Sequence, residues 1–139
     1  MVEIELNFDK RYEDKVGADA NIPGIYVVFA FNGDANAPRW ELLDIGQADN
    51  IYQRHLSHER RQSWESFASE NSMHLIIYTA RITNEYSHRD MAEAALLFRF
   101  QPRYSSDGKQ GFHHGDVHVI VKGRLEAAFG TFVQRNTDF

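Results

Sequence analysis

Alternating apolar and polar positions divide the N-terminal half of the chain into short segments that predict strands. Residues 3–8 (EIELNF) alternate charged and apolar side chains, as expected of a half-buried edge strand. Residues 25–31 (IYVVFAF) are β-branched and aromatic on both faces, so we expect a central strand there. A loop at 32–39 leads to residues 40–45 (WELLDI), and the two segments together predict a hairpin with a long connection.

The pattern changes to helical spacing after Gly46. His55 and His58 fall on one side of a helix predicted within residues 47–69, and Asp49 is a candidate for its N-cap. Gly46 is expected to end the preceding strand and let the helix start.

A further strand and a further helix are predicted in the second half of the chain. Residues 73–82 (MHLIIYTARI) form a clear apolar strand. Residues 83–100 predict a helix in which Ser87 and Asp90 have capping-box spacing, and Pro102 stops it.

The C-terminal segments complete the predicted fold. A Gly-rich loop at 105–116 precedes a strand at 117–121, and residues 125–133 are either a returning strand or a short helix. We expect one α+β domain over residues 1–139, a small and mostly antiparallel sheet flanked by helices. The edge strand at the N-terminus and a C-terminal hairpin are additions to this sheet.

Composition removes several classes of site. The 139 residues include no cysteine, which excludes disulfides, thiol nucleophiles and zinc sites with cysteine ligands. The charged start (MVEIELNFDKRYEDKV) does not resemble a secretory signal, and no apolar run reaches membrane-spanning length. We therefore expect a soluble cytoplasmic chain without a membrane partner.

The charge is acidic overall but basic in two places. A net charge of −5 is unfavourable for binding nucleic acid, yet residues 54–61 (RHLSHERR) and 98–104 (FRFQPRY) are locally basic. Either these segments are ordinary solvated faces or they contact phosphates. The residues predicted to contact nucleic acid are Arg60, Arg61, Arg103 and Lys109.

An ordered set of short motifs carries the candidate chemistry. Gly24-Ile25-Tyr26 is followed about twenty residues later by Asp44-Ile45-Gly46, and then by Arg54, His58 and Glu93. In this order and at these intervals, the motifs resemble the GIY-YIG nuclease domain family. The resemblance covers residues 22–105.

The end of the matched region resembles one branch of the family, and two positions depart from its pattern. Residues 101–105 (QPRYS) are similar to a KPRYN segment of the first nuclease domain of the bacterial excision-repair endonuclease. Asp44 stands where the family usually has a tyrosine, and Ser105 replaces its closing asparagine. Both positions usually line the active site, as does Gly46.

The resemblance implies a divalent-metal-dependent endonuclease that hydrolyses DNA phosphodiester bonds. Glu93 would hold one Mg²⁺ or Mn²⁺ ion, and Tyr26 would orient or deprotonate the attacking water. Arg54 would bind the scissile phosphate, and His58, one turn further along the same helix face, would assist proton transfer. The expected partner is double-stranded or branched DNA, with specificity supplied by added segments, a second copy of the chain or a protein partner.

Three hypotheses describe Asp44. In the first, Asp44 replaces the tyrosine without taking over its role, so that cleavage is slow or lost. In the second, it is a second oxygen ligand for the metal beside Glu93. In the third, it forms an ion pair with Arg54. The alternative function is accordingly a catalytically impaired domain that binds nucleic acid or a protein.

A histidine cluster near the C-terminus is a separate candidate. His113, His114, Asp116 and His118 lie within six residues, which allows a zinc or transition-metal site, although the spacing fits no established ligand pattern. The alternatives are solvated side chains or a phosphate-facing role beside Lys109.

Overall fold

The computed structural model describes residues 1–82, 86–105 and 110–138, and these residues have an α+β fold. The strands in chain order are β1 (Val2–Phe8), β2 (Lys10–Glu13), β3 (Gly24–Phe31), β4 (Trp40–Ala48), β5 (His74–Arg81), β6 (Val117–Gly123) and β7 (Phe132–Gln134). The α-helices are α1 (Ile51–Leu56), α2 (Arg61–Glu70), α3 (Tyr86–Phe100) and α4 (Glu126–Phe129), and Ala18–Ala20 form a 3₁₀ helix. None of the helices in this part of the chain combines the length and apolar character that a membrane span requires.

The larger sheet is antiparallel and brings the two sequence motifs side by side. Its order is β2-β5-β3-β4, which confirms the central strand predicted at 25–31 and its hairpin with the strand that follows. The register places Tyr26 opposite Gly46 and Val28 opposite Asp44. Residues twenty apart in the sequence are therefore direct cross-strand neighbours.

Alternate side chains of β3 enter two different hydrophobic clusters. Ile25 and Val27 pack with residues of α3 and the smaller sheet. Tyr26 and Val28 point to the opposite face, where they pack with residues of α1 and α2. Because successive strand residues face opposite sides, this alternation aims the Tyr26 ring at the segment that carries Arg54 and His58.

The smaller sheet joins the two ends of the chain. Its order is β1-β6-β7, with β1 parallel to β6 and β7 antiparallel to β6. The predicted edge strand and C-terminal hairpin are both present, but they form a second sheet of their own, so the prediction of a single sheet is wrong. Residues 125–133 were predicted as a returning strand or a short helix, and they contain both, because the short helix α4 is followed closely by the start of β7.

Two predictions for the segment after Asp44 are wrong. The strand β4 continues through Gly46 to Ala48. The helix that follows is capped by Asn50, not Asp49, because the Asn50 side chain accepts a hydrogen bond from the Gln53 backbone at 3.0 Å.

The single helix predicted within 47–69 is also wrong. It is two helices, since α1 ends at Leu56 and α2 begins at Arg61. His58 lies in the connection between them and not one turn beyond Arg54 on the same helix. The break lets the two helices bury different side chains against the sheet, Ile51 from α1 and Trp64 from α2.

Two further differences concern local structure. Lys10–Glu13 form a short strand beside β5 that the polar composition of this segment did not indicate. Ser87, predicted as a helix cap, already lies inside α3, and residues 83–85 of the predicted helix lie outside the described residues. The helix ends before Pro102 as predicted, with Gln101 at a φ of 50°.

Candidate functional site

Both motif glycines are required by close approach of a neighbour. A Cβ atom on Gly46 would lie 2.2 Å from the Tyr26 hydroxyl oxygen, and one on Gly24 would lie 2.1 Å from the Ala80 carbonyl oxygen. No larger residue fits at either position without displacing the neighbour. Gly46 therefore makes room for the Tyr26 ring, which corrects its expected role as a strand terminator.

Tyr26 is hydrogen-bonded to His58 in the interior. The Tyr26 hydroxyl and His58 Nε2 are 2.8 Å apart, and Tyr26 is only 1% exposed. The structure thus pairs two residues that the sequence assigned to one site, although His58 reaches it from a loop. The His55 ring also contacts Tyr26, with the ring centroids 4.4 Å apart in an edge-on arrangement, and it lies 6.0 Å from the His58 ring.

The tautomer of His58 follows from its second hydrogen bond. The Arg60 backbone N–H donates to His58 Nδ1 at 3.1 Å, so this nitrogen carries no proton. Burial, followed by the charges of Arg54 and Arg60, lowers the pKa of His58 to about 4, and the ring is neutral at pH 7. The remaining ring proton is on Nε2, and His58 donates it to the Tyr26 oxygen.

Charged groups from several elements act on Tyr26. Burial raises the pKa of Tyr26 above its ordinary value, and the Arg54 charge lowers it in part. The charges of Asp44, Arg60 and Glu93 have smaller effects. Arg54 therefore lies beside Tyr26, whereas Glu93 acts on Tyr26 only weakly and lines a different pocket.

The Arg54 guanidinium is occupied by a carboxylate. Its Nη1 and Nη2 donate to the two Glu59 oxygens at 2.8 and 3.0 Å. These hydrogen bonds lower the pKa of Glu59 to about 2. Planar two-point binding of this kind is also how arginine holds a phosphate, so Glu59 occupies the donors that a phosphate would use. The sequence analysis did not identify Glu59.

Asp44 is fully buried and held by donors from four directions. Arg60 Nε donates to it at 2.6 Å, Trp64 Nε1 at 3.0 Å and the Ile45 backbone at 2.9 Å. The Ser105 hydroxyl donates to Oδ1. The predicted ion pair with Arg54 is therefore wrong, because the partner of Asp44 is Arg60.

The same contacts decide whether Asp44 suits a metal. A carboxylate offers about four lone-pair positions, and these donors use them. A cation would have to displace Arg60 or Trp64 to reach the oxygens. The expectation of Asp44 as a metal ligand beside Glu93 does not fit this arrangement.

Glu93 is a different kind of carboxylate. Burial, followed by the Asp90 charge, raises its pKa to about 7, while a hydrogen bond from the Gln47 backbone opposes the shift. It lines an open pocket of about 300 Å³ together with Asp90, His113 and His114. Within the described ranges no three histidine or acidic side chains converge as a ready metal site. One desolvated carboxylate at an open pocket fits a hydrated Mg²⁺ ion, which keeps several water ligands.

The predicted nucleic-acid-binding residues have different surroundings. Arg60 is directed inward to Asp44, whereas Arg61 binds the Glu65 carboxylate at 2.8 Å. Arg103 is 47% exposed and lies over the Phe67 ring at 4.6 Å. Lys109 lies outside the described residues.

The C-terminal histidines do not form one cluster. His113 pairs with Asp138 at 2.7 Å, and His118 with Glu3 at 3.4 Å. His114 faces Asp90 at 3.6 Å, and Asp116 instead accepts from Arg135 and from the Asn136 backbone. Because each side chain has a different neighbour, a shared zinc site is not supported.

Two further side chains in the site were missed by the sequence analysis. Trp64, which is fully buried, contacts His58 and donates to Asp44, and His55 packs on Tyr26. The helical spacing of His55 and His58 was noted, but their separation onto two elements depends on tertiary packing.

Comparison of the chain with protein-family models, with curated proteins and with solved structures finds no match.

Proposed function

We propose that this chain is a GIY-YIG-like nuclease domain that hydrolyses DNA phosphodiester bonds with a divalent cation. The observation that carries the proposal is the Tyr26 hydroxyl, seated against Gly46 and hydrogen-bonded to His58, with Arg54 beside it. A core tyrosine needs neither a glycine directly beneath its hydroxyl nor an adjacent arginine. The joint arrangement therefore favours a site over ordinary packing.

Arg54 would bind the scissile phosphate. Its guanidinium already holds two oxygens of one planar group, and its side chain is one-third exposed at 33%. Binding a phosphate would require Glu59 to leave, and Glu59 is free to move because its side chain is 61% exposed. An exposed ion pair of this kind is weak enough to exchange.

Tyr26 would orient the attacking water, with His58 fixing the tyrosine. The raised pKa keeps Tyr26 protonated at neutral pH, so its hydroxyl positions a water by hydrogen bonding and does not act as a free phenolate base. His58 donates from Nε2 and its Nδ1 is already used, so it has no free nitrogen for accepting a proton. This assigns His58 a positioning role in place of the proton transfer first expected.

Glu93 would hold the Mg²⁺ or Mn²⁺ ion, which supplies neutralisation of the charge that develops on the phosphate and the leaving oxygen. The carboxylate faces a pocket that Asp90 also lines, and a cation there would relieve the repulsion between the two acids.

A catalytically impaired domain that binds nucleic acid is the second candidate. Two observations favour it: Tyr26 is only 1% exposed, and Glu59 occupies the Arg54 donors. Water and phosphate could reach these groups only after nearby side chains move. The departures from the family pattern also belong together, because Ser105 bonds to Asp44.

Plasmid nicking with Mg²⁺ or Mn²⁺ tests the proposal. Wild type is compared with Glu93→Gln and with Glu70→Gln, which removes one exposed carboxylate on α2 and serves as the matched control. Metal-dependent nicking by wild type and Glu70→Gln, with a loss of about a hundredfold or more in Glu93→Gln, is the expected result.

Binding assays on the same proteins separate the candidates. No nicking by any protein, together with retained DNA binding, would refute the nuclease and support the impaired domain. Equal nicking by wild type and Glu93→Gln would reject the assignment of Glu93 and point to a contaminating nuclease.

A further inference from the structure

A second pocket lies next to His55, whose ring contacts the rings of both Tyr26 and His58. It has a volume of about 380 Å³ and is formed by residues 15–18 together with α1 and the start of α2. We call it the α1 pocket. Its size falls at the lower end of the range for small-molecule sites.

A buried imidazole without partners lines the α1 pocket. His55 is 3% exposed, and neither of its ring nitrogens has a hydrogen-bond partner. Its pKa is lowered to about 3 by burial and then by the charges of His58, Arg61 and Arg54. A neutral ring with an unused donor and acceptor is costly in the interior. Both nitrogens are closed to solvent, so a polar group in the pocket would satisfy one of them once the ring turns toward the pocket.

The charges around this imidazole favour an anion. Lys15 and Arg61 line the pocket, and the Lys15 side chain has no hydrogen bond or ion pair within the described residues. Arg61 uses Nε for Glu65 and Nη2 for the Asp14 carbonyl, which leaves Nη1 available. Donors on three different side chains match the several oxygens of a phosphate better than the two of a carboxylate.

The rest of the pocket is apolar. Tyr52 is half-buried on one side, and Leu56 is 64% exposed at the rim. An exposed leucine beside a tyrosine ring offers a surface for an apolar or aromatic body.

We propose that the α1 pocket binds a small phosphate ester, with the phosphate held by Lys15, Arg61 and His55 and the organic part lying against Tyr52 and Leu56. Neither Arg54 nor Glu93 lines this pocket, although it shares His55 with the surroundings of Tyr26. Binding of a phosphate ester there is independent of cleavage, so the proposal goes beyond the proposed nuclease and does not depend on it. A ligand here would be separated from Tyr26 by the His55 side chain, because the His55 ring contacts the Tyr26 ring directly.

The test uses the full chain without DNA or metal. Adenosine 5′-monophosphate, adenosine and inorganic phosphate are titrated by calorimetry, and the His55 ring nitrogens are followed by ¹⁵N NMR. The expected result is binding of the monophosphate, weaker binding of each half alone, and a shift of the His55 ring signals. A 5′-phosphorylated dinucleotide distinguishes the two sources of such an ester: tighter binding than the monophosphate indicates a strand end, and equal binding a free nucleotide.

Variants of the pocket residues test where the monophosphate binds. We expect monophosphate binding to weaken about tenfold in His55→Phe and about threefold to fivefold in Lys15→Gln. Lys122→Gln is the matched control, because Lys122 is also exposed but pairs with Glu5 on the smaller sheet. Since Lys15 is on the surface, its variant remains informative even if His55→Phe fails to fold.

Three outcomes would overturn the proposal. They are no binding of the monophosphate at millimolar concentration, equal losses in Lys15→Gln and Lys122→Gln, and adenosine binding as tightly as its monophosphate.

Discussion

The Ser105 hydroxyl donates a hydrogen bond to the buried carboxylate of Asp44. These are the two positions at which the sequence differs from the GIY-YIG motif pattern that it resembles, and they contact each other. The departures are thus physically coupled: a tyrosine at position 44 would leave Arg60 and Trp64 without their acceptor.

Removing either partner of this pair should destabilise the protein. We expect Asp44→Asn to lower the free energy of unfolding by about 3 kcal/mol, because Arg60 loses its counter-charge, and Ser105→Ala by about 1.5 kcal/mol. The Arg60 side chain is 31% exposed, so we place the loss for Asp44→Asn at the lower end of the range for buried ion pairs. Urea unfolding measures both.

The double variant then tests the coupling. The loss of unfolding free energy in Asp44→Asn/Ser105→Ala should be about 1 kcal/mol smaller than the sum of the losses in the two single variants, since the two side chains share one hydrogen bond. Ser69→Ala on the exposed side of α2 is the control and should change little. Additive losses would mean that Ser105 and Asp44 act independently.

Freeing Arg54 should strengthen binding of DNA. In Glu59→Gln the guanidinium loses its paired carboxylate and becomes available to a phosphate. We expect DNA affinity at low salt to rise by about threefold to tenfold, and this gain to shrink as salt is added. Fluorescence anisotropy with a labelled duplex measures it.

The control for this prediction is Glu70→Gln, which changes the net charge equally at a distance from Arg54. An equal gain in both variants would show that overall charge, and not release of Arg54, is responsible.

Filling the space at Gly46 should displace Tyr26. Gly46→Ala places a Cβ atom 2.2 Å from the hydroxyl oxygen and 2.3 Å from Cζ, and we expect it to cost about 2 kcal/mol of stability. Gly115→Ala, where nothing lies within 4 Å of the added atom, is the matched control. In a Tyr26→Ala background the cost of Gly46→Ala should nearly vanish; an unchanged cost would indicate that the glycine serves the backbone.

The tautomer of His58 is directly observable. Because Nδ1 accepts from the Arg60 backbone, ¹⁵N NMR should find the proton on Nε2 at every pH between about 6 and 8. Tyr26→Phe, which removes the acceptor of that proton, should shift the Nε2 signal and leave Nδ1 nearly unchanged. A proton on Nδ1 would contradict this assignment and restore His58 as a candidate base.

Glu93 should make stability depend on pH. Its pKa of about 7 in the folded chain exceeds the ordinary value of 4.5, so the folded state keeps a proton that the unfolded state has lost. This stabilisation is fully present below about pH 4.5 and is lost as the pH rises to about 7. We expect wild type to lose about 2 kcal/mol relative to Glu93→Gln across this window.

Comparison with Glu93→Gln is needed because titration of the buried histidines changes stability with pH in the opposite direction. The pKa values of His55 and His58 are lowered, so their contribution is present above about pH 6.5 and is lost as the pH falls to about 4 for His58 and about 3 for His55. Urea unfolding followed by tryptophan fluorescence at several pH values measures the difference. A constant difference between the two proteins would mean that Glu93 titrates normally.

The strands were predictable because their apolar patterns are local. Residues 25–31 are apolar on both faces, and this alone indicated a strand between two others. The short strand at Lys10–Glu13 was not predictable, because its side chains are polar and only pairing with β5 makes it a strand.

The sequence named Tyr26, Arg54 and His58 as candidates, and the structure places these three near one another, but their geometry was not predictable. The helix break between Arg54 and His58 brings His58 to Tyr26 from a loop. Helical periodicity continues across the break, so the sequence contained no signal for it. The partners Glu59 and Arg60 were equally hidden, since neither contact follows from a motif.

The parallel pairing of β1 with β6 also constrains the order of folding. Residues separated by 115 positions, such as Glu3 and His118, must meet before the smaller sheet exists. During synthesis the strands of the larger sheet are complete before β6 is made, so the larger sheet can form while β1 is still unpaired. A tag or truncation that delays either strand is therefore expected to leave an unpaired, aggregation-prone strand edge beside an otherwise folded larger sheet.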